Sequence, residues 1–190
     1  MAFETYTGYF TSINAVLQKL SEIWEFDSVE SNTYTYGNAV LKPDNALLYN
    51  GSTAVGANYN WSGSQYCTIA KTDKAVIVST TYDNKPQAIV LGTVTNEEGE
   101  VSKGGMTNTR YTNAGSNYAV MGSNNSSNVV DSYRTTDGLT QLIPFISTTG
   151  GWCFDKVFRV IAGSSIEKSG IFYIGGERYF ISGHTAIKES

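Results

Sequence analysis

The pattern of apolar and polar residues changes its period near residue 28. Before that point, apolar side chains recur every three or four residues, which places them along one face of a helix. They are Phe10, Ile13, Val16, Leu17, Leu20, Ile23 and Trp24. The spacing predicts an amphipathic helix over residues 10–24, within an N-terminal helical segment of residues 1–28. Such a helix packs either on the sheet of its own chain or against a neighbouring subunit.

From residue 29 onward, polar and apolar residues alternate with the period of two that half-buried β-strands show. The alternation marks Thr33–Tyr36, Lys74–Tyr82 and Gln87–Thr95 as strands. The four residues between the last two strands, Asp83 to Pro86, are of types that form short turns. The pattern predicts an antiparallel meander, and we expect residues 29–190 to form one β-rich domain.

The clearest local signal lies near the end of the chain. Two runs of aromatic and β-branched residues, Gly170–Ile174 and Glu177–Ser182, flank the pair Gly175 and Gly176. Glycine at both central positions supplies the positive φ that a two-residue hairpin turn requires. The sequence therefore predicts a β-hairpin here.

Residues 102–128 differ in composition from the rest of the β-rich part. Gly, Ser and Asn dominate this stretch, and the only short apolar run is Tyr118–Met121. Such a composition is typical of a flexible excursion, or of an extended arm that becomes ordered against a partner. Taken together, the patterns predict a mainly β protein: an antiparallel β-sandwich or barrel-like domain with one N-terminal amphipathic helix.

Composition narrows the classes of partner. The 190 residues carry 16% charged side chains, which is below the usual quarter, and a net charge of −4. Lys and Arg are scattered singly, whereas a nucleic-acid-binding surface needs them clustered, so we expect no sequence-specific nucleic-acid binding. The apolar pattern of residues 10–24 contains Lys19 and Glu22, which argues against a membrane span. With no secretory signal at the N-terminus, the expectation is synthesis in a cytoplasm.

Candidate catalytic and metal-binding residues are few. His184 is the sole histidine, and it stands in a turn-like Gly-His-Thr context with no recognisable nucleophile motif. Cys67 and Cys153 are 86 positions apart, and two reduced thiols are favoured over a disulfide. Neither cysteine has metal-ligand spacing with His184. No phosphate loop or dinucleotide motif occurs, so no cofactor is expected.

The acidic residues offer no stronger site. Glu97, Glu98 and Glu100 lack the regular Asp/Asn alternation of a calcium loop, and a solvated turn is the simpler interpretation. Asp131 and Asp137 are a possible pair of glycosidase carboxylates, but almost any chain contains such a pair. The sequence therefore predicts no catalytic residue, no metal site and no enzymatic activity.

Aromatic residues suggest one candidate binding site. The chain has three Trp and thirteen Tyr, and flat rings stack on the faces of sugars while hydroxyl and amide groups bond to them. The local candidates are Tyr59 and Trp61, within the run Asn58–Ser64. The other interpretation is that the aromatic residues fill cores and subunit contacts.

The last fifty residues carry a family resemblance. Leu142–Thr148 and Gly151–Val160 are followed by the hairpin that ends in Glu177–Ile181. This order resembles the C-terminal half of small structural proteins of tailed bacteriophages and of prophages in gut bacteria. The sequence departs from the pattern at Glu177-Arg178, where a Lys is common. The resemblance supplies no catalytic residues.

The resemblance implies a virion structural protein that is made and assembled in the host bacterial cytoplasm. Neck, tail and capsid-associated positions are all open, with neck or tail preferred. The expected partners are other virion proteins and further copies of the chain in a cyclic homo-oligomer. In that assembly, residues 102–128 or residues 1–10 are expected to lie on an adjacent subunit. The alternative function is a glycan-binding receptor-recognition module, and a small hydrolase is a third candidate.

Overall fold

The protein is mainly β, with a single helix among the residues that the structure describes. A computed structural model describes residues 3–44, 47–54, 65–82, 85–95, 98–107, 110–112, 118–120, 133–134, 140–146, 153–162, 169–183 and 185–190. The strands pair antiparallel, and their bounds are β1 Glu4–Phe10, β2 Ser28–Glu30, β3 Thr33–Tyr36, β4 Ala39–Leu41, β5 Leu48–Asn50, β6 Thr53–Ala54, β7 Gln65–Lys71, β8 Ala75–Tyr82, β9 Lys85–Thr95, β10 Val101–Thr107, β11 Arg110–Thr112, β12 Tyr118–Val120, β13 Tyr133–Arg134, β14 Thr140–Ile146, β15 Cys153–Ala162, β16 Gly170–Ile174, β17 Glu177–Ser182 and β18 Thr185–Lys188.

The predicted helix is present as α1, Ile13–Ile23. Its N-cap is Ser12, whose Oγ accepts a hydrogen bond from the backbone N–H of Ala15 at 3.2 Å. The helix ends at Trp24, which adopts an extended conformation. The buried face packs on the chain's own sheet, because its side chains share one apolar cluster with Ile69 of β7.

The segment before the helix is a strand, which corrects the prediction of a helical segment over residues 1–28. β1 pairs with β7 in continuous register from Glu4 beside Lys71 to Phe10 beside Gln65. Thr and Tyr favour strands, and Gly8 disfavours a helix. Phe10 fits the apolar stripe, yet it belongs to the strand and joins the same cluster from there.

The larger sheet bends into a half-barrel. β10, β9, β8, β7 and β1 lie side by side in that order, and β14, β15, β18, β17 and β16 form a second row. The C-terminal end of β9 joins the two rows, because Thr95 and Val94 pair with Cys153 and Phe154 of β15. The second row then packs over the first, with β15 and β18 against β8. The predicted β-sandwich or barrel-like fold is confirmed.

Two of the predicted hairpins are confirmed, one with a shorter turn. β8 and β9 pair from Tyr82 beside Lys85 onward, so Pro86 lies in the strand beside Thr81. β16 and β17 pair up to Ile174 and Glu177. Between those strands Gly175 and Gly176 have φ of +60° and +83°, the positive values that the two-residue turn requires.

The middle strand of the first row, β8, is covered on both faces. On one face, Ala75 and Ile77 of β8 join a cluster with Phe180 of β17. On the other face, the alternate residues Val76 and Val78 join the cluster that contains α1. Since successive side chains of a strand point to opposite faces, β8 is buried from Ala75 to Thr80 and forms the middle of three layers.

The third layer is a small sheet, in which β2 to β6 pair in sequence order. Its strands β3, β4 and β5 contact β10. One close approach is at Gly105 of β10, where an added Cβ would lie 2.8 Å from Leu91 Cδ2, 3.0 Å from Ala39 Cβ and 3.2 Å from Leu48 Cδ1. A glycine is therefore needed here for space.

The predicted Gly/Ser/Asn-rich excursion over residues 102–128 begins inside the sheet. Val101–Thr107 pair with β9 in continuous register, and two short strands, Arg110–Thr112 and Tyr118–Val120, extend the ladder. The first six residues of the range, 102–107, thus belong to β10. Glycine is a residue type that is typical of loops, but Gly105 lies in a strand. The close approach of the small sheet leaves no room for a Cβ at this position. Residues 121–128 lie outside the described part of the chain.

Candidate functional site

Most residues singled out from the sequence as chemical candidates lie outside the described residues. These are the glycan candidates Tyr59 and Trp61, the calcium candidate Glu97, and the catalytic candidates Asp131, Asp137 and His184. The structure therefore leaves those predictions as they stand. Glu98 and Glu100 are described and lie between β9 and β10, which agrees with a turn.

The two cysteines are free thiols at different places in the sheet. Cys67 of β7 is buried and lies beside Thr80 of β8, and its burial raises the pKa of the thiol to about 12. Cys153 begins β15 and lies beside Thr95 of β9. Burial, and after it the charge of Asp155, raise the pKa of the Cys153 thiol. Neither thiol has the low pKa that marks a reactive cysteine.

Neither a metal-binding cluster nor a membrane-spanning helix occurs in the described part of the chain. No group of three or more His, Cys, Asp or Glu side chains is placed to hold a metal ion there. Within the same residues, α1 is neither long nor apolar enough to cross a bilayer as a transmembrane helix.

A pocket at the C-terminal end of α1 brings chemical groups together. We call it the helix-end pocket, and its volume is about 480 Å³. Its lining includes Trp24 and Glu25, which follow the helix, and Tyr36 of β3. The ends of β1, β7 and β10 complete it. Such a volume is within the range of small-molecule sites.

Two aromatic rings line part of the pocket. The rings of Trp24 and Tyr36 have centroids 5.5 Å apart and are inclined by 58°. Tyr36 is buried, and burial, with a smaller contribution from Asp27, raises the pKa of its hydroxyl to about 12. The indole Nε1 of Trp24 is buried and has no hydrogen-bond partner among the described residues. A buried donor of this kind is uncommon and invites an explanation.

Both lysines of the pocket are held by neighbouring groups. Lys71 Nζ is 3.2 Å from a carboxylate oxygen of Glu4, and it donates a 2.9 Å hydrogen bond to the carbonyl oxygen of Ile23. Lys103 forms an ion pair with Asp27, and its Nζ lies 5.0 Å from the centroid of the Tyr36 ring. Both lysines are therefore fixed in place, with donors facing a partly apolar cavity.

The pocket was missed by sequence analysis for a definite reason. Trp24 was interpreted as one residue of the apolar stripe, and Lys71 and Lys103 are single charges without a motif. Only the fold brings residues 4, 24, 36, 71 and 103 to one place. The sequence offered one signal of this pocket, the aromatic residues Trp24 and Tyr36, which follow the helix along the chain.

The ends of the larger sheet form the second candidate surface. Among the described residues, β16 pairs only with β17, and its three central side chains are all exposed. These are Ile171, Phe172 and Tyr173, with Tyr173 73% exposed. We call this strand the β16 edge. The backbone groups on its outer side have no described strand beside them.

The opposite end of the same sheet is also rich in aromatic residues. β1 is the last strand of the path that ends at β7, and its Tyr9 is 79% exposed. Tyr66 of β7 is 53% exposed, and its ring lies edge-on to that of Tyr9 with centroids 5.1 Å apart. We call β1 with these rings the β1 edge.

The comparisons with known proteins give no relative. No protein-family model matches the chain, and neither a curated protein nor a solved structure matches it.

Proposed function

We propose that this protein is a non-enzymatic structural protein of a bacteriophage virion, which assembles as part of a neck or tail ring or of a capsid-associated layer. The observation that supports assembly is the pair of exposed edges on one sheet. The virion assignment rests on the sequence resemblance of residues 142–181. The partners in this proposal are other copies of the chain and other virion proteins.

The β16 edge is unusual for a protein that works as a monomer. Soluble proteins normally protect edge strands with charges, prolines, bulges or covering segments, because a bare edge recruits other strands. The strand Gly170–Ile174 contains none of the charged or proline residues that give such protection. Its consecutive Ile171, Phe172 and Tyr173 expose apolar area on both faces of the strand. These features suit a strand that is paired in an assembly.

The two edges suit each other as halves of one contact. β16 has five residues and β1 has seven, so the β16 edge of one subunit can pair along its whole length with the β1 edge of the next. A contact between two different surfaces of identical chains is head-to-tail, and it forms a ring when the rotation closes. The exposed Tyr9, Tyr66 and Tyr173 supply the aromatic area that subunit contacts favour.

The test of assembly is the mass of the purified chain and of two matched variants. We expect an oligomer for the wild type by sedimentation velocity, and a monomer for Tyr173→Lys, because a lysine on the β16 edge opposes pairing. Val101→Lys is the control, since Val101 is 65% exposed but lies in β10, which belongs to neither the β16 edge nor the β1 edge. A monomeric wild type, or dissociation by Val101→Lys as well, would contradict the proposal.

The virion assignment needs a separate experiment. Bacteria that carry the gene are induced to release phage particles, and the purified particles are digested and analysed by mass spectrometry. We expect peptides of this chain in stoichiometric amounts with the known particle proteins. If the chain stays in the cell lysate and no particle contains it, the virion assignment is wrong even where assembly is found.

The alternative function, a glycan-binding receptor-recognition module, is favoured by the helix-end pocket. Its lining includes Trp24 and Tyr36 together with charged groups of both signs, so aromatic and hydrogen-bonding side chains meet at one cavity. The test is calorimetric titration with saccharides. Binding of any saccharide supports this function, and a panel without binding contradicts it.

A further inference from the structure

We propose that the subunit contact brings the inner sides of the two edges together, so that Tyr173 of one subunit packs beside the β1 edge of the next. The inner side is the face of each row of strands that is turned toward the other row. The residues that meet in this contact are Ile171 and Tyr173 from the β16 edge, and Thr5, Thr7 and Tyr9 from the β1 edge. This inference rests on the assembly proposed above and adds the side on which subunits meet.

Two side chains of β16 lie on its inner side. Ile171 is beside Phe180 of β17, and Phe180 belongs to the apolar cluster between the two rows. Directly opposite residues of paired strands share a face, so Ile171 lies on that face too. Tyr173 is two positions further along the strand and has the same orientation. Both side chains are exposed, so their own chain leaves them available for a contact.

The inner side of β1 follows from its pairing with β7. Thr5 is beside Ala70, which is buried in the same cluster between the rows. Thr7 and Tyr9 alternate in step with Thr5 and share its face. All three are exposed, so the cover that the second row gives Ala70 does not extend over them.

The other face of β1, which we call the helix side, carries charges. Its residue Glu4 pairs with Lys71 of β7, and Lys19 Nζ of α1 lies 4.4 Å from the centroid of the Tyr6 ring. The inner side of β1 consists of Thr and Tyr side chains. Packing an apolar side chain against charged groups removes water from them, which is unfavourable. The aliphatic Ile171 therefore fits the inner side and not the helix side.

The inner side of the β1 edge also suits a further aromatic ring. The Tyr9 ring lies edge-on to that of Tyr66, and inclined rings of this kind attract one another, so Tyr173 can extend the pair. Thr7 Oγ1 is 3.3 Å from Thr68 Oγ1. Because these two hydroxyls bond to each other, covering them costs less than covering hydroxyls without partners.

The same orientation sets Phe172 against the helix side. Phe172 follows Ile171 in the strand and points to the opposite face. A ring face attracts an ammonium group such as that of Lys19, so an aromatic residue suits this position better than an aliphatic one. Ile174 shares the face of Phe172, and it is already packed against a cluster of its own chain. Each exposed side chain of the β16 edge thus meets a compatible surface.

The experiment is disulfide scanning of the full chain, with Cys67→Ala and Cys153→Ala to remove the native thiols. Each variant carries Tyr173→Cys and one further cysteine in β1. The inner-side set is Thr5→Cys, Thr7→Cys and Tyr9→Cys, and the helix-side set is Glu4→Cys, Tyr6→Cys and Gly8→Cys. Two cysteines whose Cβ atoms point apart form no disulfide. We therefore expect ladders of covalent dimers and larger species on a non-reducing gel for the inner-side set alone.

Phe172→Cys is the matched anchor on the other face of β16. With this anchor the pattern should reverse, and the helix-side set should give the ladders. The alternation depends neither on the register of the contact nor on whether the two strands run parallel or antiparallel, because side chains alternate in both cases. Ladders from Tyr173→Cys with the helix-side set would overturn the inference.

Charge reversal is a second measurement that keeps the native cysteines. Thr7→Glu, added to Tyr173→Lys, places opposite charges on one face of the contact. It should lower the dissociation constant about fivefold relative to Tyr173→Lys alone. Gly8→Glu places the charge on the helix side and should give no such gain. A gain from Gly8→Glu alone, or from neither variant, counts against the inner-side contact.

The outcomes separate this inference from the assembly on which it rests. If the wild type sediments as a monomer, both fail. An oligomer that gives no ladder with either set of cysteines does not meet through these two edges, and both fail again. An oligomer with the reversed pattern keeps the contact between the edges and overturns only the side proposed here.

Discussion

Replacing Gly105 by alanine tests the packing of the third layer on the central sheet. Gly105 lies in β10, and the new methyl group would meet Leu91 Cδ2 at 2.8 Å and Ala39 Cβ at 3.0 Å. Ordinary carbon contacts are near 3.5–4.0 Å, so these neighbours must move. Leu91 and Ala39 are buried, with 0% and 1% of their surface exposed. Neither side chain can shift into solvent.

The expected cost follows from two opposing terms. Inserting a methyl group into a well-packed core costs about 1–3 kcal/mol. Exchanging Gly for Ala also restricts the unfolded chain, which stabilises by about 0.4–1 kcal/mol where the backbone fits. The φ of Gly105 is not in the left-handed region, so that gain applies. We therefore expect Gly105→Ala to lower the free energy of unfolding by about 1–2 kcal/mol.

Gly170→Ala is the matched control. Gly170 also lies in a strand, β16, but the nearest atom to its added Cβ is a ring carbon of Phe172 at 4.0 Å. Only the gain from the restricted unfolded chain remains, so this variant should be as stable as the wild type or slightly more stable. Both variants are unfolded in urea and followed by far-UV circular dichroism.

The two variants must differ in sign for the packing argument to hold. With a urea m-value of about 2–3 kcal/mol/M, the midpoint of Gly105→Ala should fall by roughly 0.3–1 M relative to the wild type. Its m-value should stay the same. A Gly105→Ala midpoint equal to or above that of Gly170→Ala would show that the small sheet does not press on β10 at this position.

Three smaller predictions follow from local contacts. The carboxylate of Asp27 accepts a hydrogen bond from the backbone N–H of Gly37 and pairs with Lys103, which lowers its pKa. The unfolded pKa is about 3.9, so the stabilisation is present above about pH 4 and is lost as the pH falls through the lower folded pKa. Because the Asp27 side chain is exposed, Asp27→Asn should cost under about 1 kcal/mol at pH 7. This cost should shrink in acid. A cost that is equal at pH 7 and pH 2 would contradict it. Cys67, with its pKa near 12, should resist a thiol reagent in the native chain while Cys153 reacts first; equal rates by mass spectrometry would be the contrary result. Ser12→Ala removes the helix N-cap and should lower the free energy of unfolding by about 1 kcal/mol in urea, whereas an unchanged midpoint would deny the cap that role.

Local patterns predicted the elements better than their ends. The apolar stripe located α1, yet Phe10 belongs to β1, because a strand residue can join the same apolar cluster as the helix. Pro86 was assigned to a turn, but it lies near the start of β9, where a strand tolerates the missing N–H. In both cases the residue type allowed two structures, and the sheet selected between them.

The glycine-rich stretch shows a stronger limit of sequence analysis. Gly104 and Gly105 indicate loop by composition, but they lie in a strand that is paired with β9. What requires Gly105 is the approach of Ala39 and Leu48, more than fifty positions earlier in the chain. Propensity describes a residue and its neighbours in sequence, so a requirement imposed by a distant layer is invisible to it.

The two candidate surfaces differ in how far a sequence can reveal them. The apolar run of β16 is continuous along the chain, and its exposure becomes known once β16 is seen to have no second partner among the described strands. The helix-end pocket has no such run, because its lining comes from the ends of separate elements. Trp24 illustrates the difference: its ring continues the apolar stripe of α1, while its Nε1 is a buried donor without a described partner. A single residue thus carries two signals, an apolar ring and a buried polar atom, and only the second depends on what the fold places beside it. Trp24→Phe separates the two, since it keeps an aromatic ring and removes the buried donor.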